Sequence, residues 1–115
     1  MLPKKNRLSS IDFPVLLKSG KKVSNKDFFA RYAFDKGAIK SYKVSFVTSA
    51  KLSKKAVVRN RIRRRLYTSL RRIAPFFLKG LNGVYMSITP KADCSLYNSD
   101  YIDNSLKNLF SLVKF

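Results

Sequence analysis

The chain has 115 residues, with 25 Lys and Arg against 6 acidic residues (all Asp), a formal charge of +19, one Cys and no His. The length suits one domain, and 45% hydrophobic residues supply a core, so the charge does not signal disorder. Without His there is no histidine acid–base catalysis and no Ser-His-Asp or Cys-His arrangement; with Cys94 as the lone thiol, no Cys/His zinc site or internal disulfide forms, which fits a reducing cytoplasm.

Residues 1–8 read as a basic arm. Ser9 or Ser10 is placed to cap a helix running to Lys18 and ended by Ser19-Gly20. Met1 to Arg7 is not followed by a secretory apolar stretch, and no apolar run reaches the about 20 residues of a bilayer span, so a cytoplasmic protein is expected. Val23 to Phe34 alternates with period 2 and reads as one strand, or as two with a tight turn at Ser24-Asn25. Tyr42, Val44, Phe46 and Thr48 alternate with Lys43, Ser45, Val47 and Ser49 in a further strand. Ser53 caps the longest helix, about Lys54 to Ile73, which Pro75 closes. Gly83 to Thr89 is a strand stopped by Pro90. A last helix begins near Ser99-Asp100, with the apolar stripe Ile102, Leu106, Leu109, Val113 and an i,i+4 pair of Asp103 and Lys107. There is no repeat or linker. The order α-β-β-β-α-β-α predicts a single α+β domain over residues 1–115, with helices on a small sheet.

Charge is unevenly placed. Residues 36–92 hold fifteen basic side chains and no acidic one, whereas residues 93–115 are slightly acidic. Within the long helix, Val58, Ile62, Leu66, Leu70 and Ile73 fall within about 120° of the helix circumference, a core-facing stripe. Arg61, Arg64, Arg65, Arg71 and Arg72 fall on the opposite side, with no acid at i,i+4 to relieve them. A solvated face usually mixes signs; an arginine face suits polyanion phosphates, which the planar guanidinium binds in bidentate fashion. Arg59 and Arg63 lie at the margin of the apolar stripe, where they either reach along the sheet edge or lay their stems on it. The aromatic residues cluster in the first half. Most belong in the core, but a sheet face left open beside the arginines would stack the bases of single-stranded RNA.

The segment Lys55-Ala-Val-Val-Arg-Asn-Arg-Ile-Arg-Arg-Arg-Leu66 closely resembles the signature of the bacterial ribonuclease P protein subunit. Lys4-Lys5-Asn6-Arg7-Leu8 with Asp12-Phe13, Ser19-Gly20, the aromatic strand and Ser105-Leu106-Lys107 follow in the family's order. The resemblance implies an α/β sandwich like the second domain of ribosomal protein S5, with a four-stranded sheet and a left-handed crossover around the basic helix. It also implies a subunit that binds a catalytic RNA and the 5′ leader of precursor tRNA, and so assists removal of the leader. Catalysis and its Mg²⁺ would belong to the RNA partner, with no cofactor held by the protein and no membrane or protein partner required. Arg59, Asn60, Arg61, Arg63, Arg64, Arg65, Lys51 and Lys55 would contact the catalytic RNA. Phe13, Leu17, Tyr32, Phe46 and Arg63 would meet the leader. Leu17 stands where the family often has a second Phe, Leu52 and Lys54 replace a Lys and a Gly, and Tyr67-Thr68 replaces a basic-acidic pair. Two other readings stay open: a non-enzymatic ribosomal or chaperone-type RNA-binding module, and an autonomous nuclease with Asp-bound metal, for which only Asp100 and Asp103 lie close in sequence.

Overall fold

The computed structural model describes residues 20–34, 42–48, 52–77, 83–94 and 96–113. The basic arm, the helix expected over residues 9–18, Phe13, Leu17 and Lys51 lie outside the described residues. Six elements follow in order: β1 Lys21–Ser24, β2 Phe28–Phe34, β3 Tyr42–Phe46, α1 Ala56–Phe77, β4 Val84–Pro90 and α2 Ser99–Leu112.

The Val23 to Phe34 run is two strands. The turn lies one residue further on than Ser24-Asn25, because the Asn25 side-chain oxygen accepts from the N–H groups of Asp27 (3.0 Å) and Phe28 (2.8 Å). This Asx turn works together with a backbone bond, the Asn25 N–H donating to the Phe28 carbonyl at 2.9 Å. The Asn25 side-chain amide donates to the Ser105 carbonyl at 2.9 Å, which ties the hairpin to α2. The sheet order is β1-β2-β4-β3, with β4 antiparallel to β2 (Phe28↔Pro90 to Phe34↔Val84) and parallel to β3 (Tyr42↔Val84 to Phe46↔Ile88). A parallel neighbour needs a long crossover, and α1 supplies it. Pro90 is the last residue of β4, where the ladder ends and its missing N–H costs nothing. At the other end of β4, Gly83 takes φ 72°, the left-handed region where a Cβ is penalised.

One sheet face carries Phe28, Ala30, Tyr32, Val44, Phe46, Met86 and Ile88 into a core shared with Ile62, Leu66, Leu70 and Ile73 of α1 and Ile102, Leu106, Leu109 and Phe110 of α2. This corrects the expectation of an open aromatic face. Phe28, Tyr32 and Phe46 are buried in the core, and on the opposite face Ala33, Tyr85 and Ser87 are buried as well.

Two helix boundaries differ from the sequence expectation. The Ser53 hydroxyl accepts from the Lys55 N–H at 3.3 Å, and α1 starts at Ala56 rather than Lys54. At its other end α1 runs through Pro75 to Phe77. Proline inside a helix removes one hydrogen bond and crowds the preceding turn. Here Ile73 and Ala74 are buried, and the Phe77 ring lies 5.8 Å from that of Phe110, so packing against α2 holds the last turn. α2 starts where expected, capped by Asn98, whose side chain accepts from the Asp100 N–H at 2.8 Å.

Candidate nucleic-acid interface

α1 sorts its side chains as its periodicity dictates: Ile62, Leu66 and Leu70 are fully buried, while Arg61, Arg64, Arg71 and Arg72 are exposed. The arginines are not equivalent. Arg59 donates from Nη1 to the Ser53 carbonyl at 2.8 Å and so fastens the loop before the helix. Arg63 donates to the side-chain oxygen of Asn60 one turn earlier, and Arg65 donates to the backbone carbonyl of Tyr97. Arg72 grips Asp103 with two bonds, Nε to Oδ2 at 3.0 Å and Nη2 to Oδ1 at 2.8 Å. Among the described residues, no side-chain partner engages the guanidinium groups of Arg61 and Arg64.

The expected pairing of Asp103 with Lys107 is therefore replaced by an interhelical one. Partial burial opposes ionisation of Asp103, but hydrogen bonds from Arg72 and Ser69, with the charges of Arg72 and Lys107, outweigh it and hold the carboxyl below its usual range. Position 103 turns toward α1, so the cation nearest its oxygens belongs to another element. Sequence separation hid that partner; Lys107 lends charge only.

Two depressions flank the arginine face. A groove of about 910 Å³ runs between the β3 edge and α1, with Phe46, Val57 and Tyr67 as its apolar part and Ser45, Asn60, Arg63, Arg64 and Thr68 as its polar part. Its wall is ordered by Tyr67, whose hydroxyl accepts the Phe46 N–H at 3.2 Å and whose ring meets that of Phe46 edge-on at 4.9 Å. A smaller cavity of about 220 Å³ lies between α1 and the start of α2, lined by Arg61, Arg64, Arg65, Thr68, Arg72, Ser99 and Ile102. Cys94 is buried, and burial pushes its thiol up to about 11, so the one sulfur is inert at neutral pH.

The structure brings Asn60, Arg63 and Phe46 together in the groove, and Arg61, Arg64 and Arg65 at the cavity or its rim. Lys55 is exposed just before α1. Tyr32 is separated from them: it is 6% exposed in the core, edge-on to Phe34 at 5.7 Å. Sequence reasoning missed Ser45, Val57, Thr68 and Ser99 as lining residues. Position 68 lies on the stripe 61, 64, 68, 72 and was within reach of helical spacing; Ser99 arrives only through the packing of α2 on α1.

The ribonuclease P family model matches residues 2–114, nearly the whole chain. The chain belongs to the ribonuclease P protein family. It is 31% identical over 104 residues to the ribonuclease P protein component of Synechococcus elongatus, covering 88% of this chain and 84% of that one. The fold matches the RNase P protein of Staphylococcus aureus (TM-score 0.76, 23% identity, 95% of both chains) and that of Thermotoga maritima (TM-score 0.77, 21% identity, 95% of this chain and 98% of that one). Membership of this family gives the chain a role in tRNA 5′ processing alongside the ribonuclease P RNA. Its α+β fold, a mixed four-stranded sheet with two helices among the described residues, is the fold of these relatives.

Proposed function

We propose that this subunit binds the ribonuclease P RNA through the exposed arginine face of α1 and the single-stranded 5′ leader of precursor tRNA through the groove beside it, while the RNA carries out the cleavage. One observation carries this reading: an exposed row of guanidinium groups, with Arg61 and Arg64 engaged by no other side chain among the described residues, on a helix whose opposite edge is locked in the core, so the charge is presented on a rigid element. Arg61 and Arg64 are the strongest candidates for phosphate contact, since no other side chain among the described residues engages them. The groove joins an apolar wall, Phe46, Val57 and Tyr67, to Asn60, Arg63 and Arg64. That combination suits an unpaired nucleotide, with the base against the apolar wall and the phosphate against the arginines. Phe13, Leu17 and Lys51 belong to the same proposal through the family resemblance alone.

An RNA-borne catalytic centre and its Mg²⁺ requirement are part of the same proposal, and two of the described carboxylates have structural work of their own. Asp27 accepts from Tyr101 and Ser105, and Asp103 from Arg72 and Ser69, so both serve the joint between elements. No described helix is long and apolar enough to cross a membrane; a cytoplasmic setting is part of the proposal. Reconstitution of the full chain with its RNA partner tests it. At low Mg²⁺ the protein should raise the rate of leader removal, and Arg63→Ala should reduce the preference for 5′-extended over mature tRNA. Cleavage by the protein without RNA, or no stimulation of the RNA, overturns the proposal; RNA binding with no preference for the leader supports the plain RNA-binding module instead.

A further inference from the structure

Arg59, the first arginine of the signature, stands apart from Arg61 and Arg64: it is half-buried where they are exposed. Its side chain runs back past the start of α1, and Nη1 donates to the Ser53 carbonyl at 2.8 Å. That direction follows from the helix itself, because side chains lean toward the N-terminus and an early arginine overlies the residues before it. The Arg59 N–H donates to the Lys55 carbonyl at 3.1 Å, so one residue grips the preceding loop twice. At its other end the loop is anchored by Leu52, which packs against the core.

Between these anchors stand Lys54 and Lys55, both exposed. They lie at the positive end of the α1 dipole, where cations are disfavoured, and no acid in the first turn relieves them. A further brace, from the Lys55 N–H to the Ser53 hydroxyl, is long at 3.3 Å. A lysine pair needs no brace merely to stay solvated. A pair that meets a partner surface gains from being held in one geometry beforehand, since less ordering remains to be done on binding.

We propose that Arg59 is a positioning residue: it fixes residues 52–55 so that Lys54 and Lys55 meet the RNA partner in one geometry, and it acts on binding through them rather than through a phosphate contact of its own. The proposal rests on the reading that the partner is RNA. It moves Arg59 from the contact set that the family resemblance implies to the residues that shape that set.

The test is a double-mutant cycle in the full chain. Arg59→Met removes the guanidinium and keeps an apolar stem on a good helix former, so folding is kept, with circular dichroism as the check. It is made in the unaltered chain and in a chain carrying both Lys54→Ala and Lys55→Ala. Binding to the ribonuclease P RNA is measured over a salt series. Arg59→Met alone should weaken binding about tenfold. In the lysine-free chain it should change neither the affinity nor the slope of log K against log[salt]. A further loss of slope of about 0.7 to 0.9 in that chain means that Arg59 holds a phosphate itself, and overturns the proposal. So does unweakened binding by Arg59→Met alone. In the free protein, NMR backbone order parameters of residues 53–55 should fall in Arg59→Met while those of residues 62–73 hold; unchanged order at 53–55 also overturns it. If the unaltered protein fails to stimulate leader removal, the functional reading fails instead. Stimulation together with additive effects in the cycle removes this inference alone.

Discussion

Tyr67 shows how one atom can serve both the fold and the site. β3 is an edge strand, and edge strands present unpaired backbone groups. The Tyr67 hydroxyl takes the Phe46 N–H, while the ring packs on Phe46 and walls the groove. Tyr67→Phe keeps the ring and strands a buried donor, a loss of about 1 to 3 kcal/mol. Urea unfolding should therefore show a lower midpoint with an unchanged slope, and an unaltered midpoint would remove this role for the hydroxyl. Asp103 makes a pH-dependent contribution. Its folded carboxyl titrates lower than its unfolded one, so the stabilisation is complete above the ordinary Asp value of about 3.9 and is lost as pH falls through the lowered folded value. The stability difference between the unaltered chain and Asp103→Asn should stay constant from pH 5 to 7 and shrink below pH 4. A difference that persists at pH 2 would mean that packing, not charge, sets it. Neither residue announces its partner in the sequence: Tyr67 and Phe46 are 21 positions apart, and Asp103 and Arg72 are 31 apart.

At the scale of the element, α1 separates stability from binding along one cylinder. Leu66→Ala deletes a fully buried side chain and should cost about 2 to 5 kcal/mol. Arg61→Ala, on the exposed side, should move stability by less than about 0.5 kcal/mol, yet weaken RNA binding and make its salt slope shallower by about one contact. Thermal unfolding and filter binding of both variants check this; a large stability loss for Arg61→Ala would contradict the division. The division was legible from the sequence because 3.6 residues per turn fixes which side chains share a face, whatever the helix packs against. The ends were less legible. Pro75 reads as a stop, yet the final turn persists because burying Ile73 and Ala74 and packing Phe77 on Phe110 offsets the lost backbone bond. Local propensity was right about the cost and blind to the compensation.

For the whole molecule, the position of the charge matters more than its sum of +19. The arginine-bearing helix is the connection between the parallel strands β3 and β4, so the topology places the most basic element beside the open edge of the sheet. With four or more phosphates contacted along this face, the slope of log K against log[salt] should be about −3 or steeper. A slope near −1 would mean that most of the arginines never meet the RNA.

The sequence by itself determined what depends on composition and period: the described strands and helices in order, the apolar and basic sides of α1, and the Arg59-Asn60-Arg61 signature. Those properties are local, and neighbours along the chain decide them. Only the tertiary structure decided which aromatic rings are exposed, since Tyr32 and Phe46 alternate in the same way whether their face is open or covered by helices. It alone also joined Asp103 to Arg72 and brought Ser99 to the same cavity as Arg61, because contacts between α1 and α2 arise from packing two apolar stripes and leave no periodic trace in either helix.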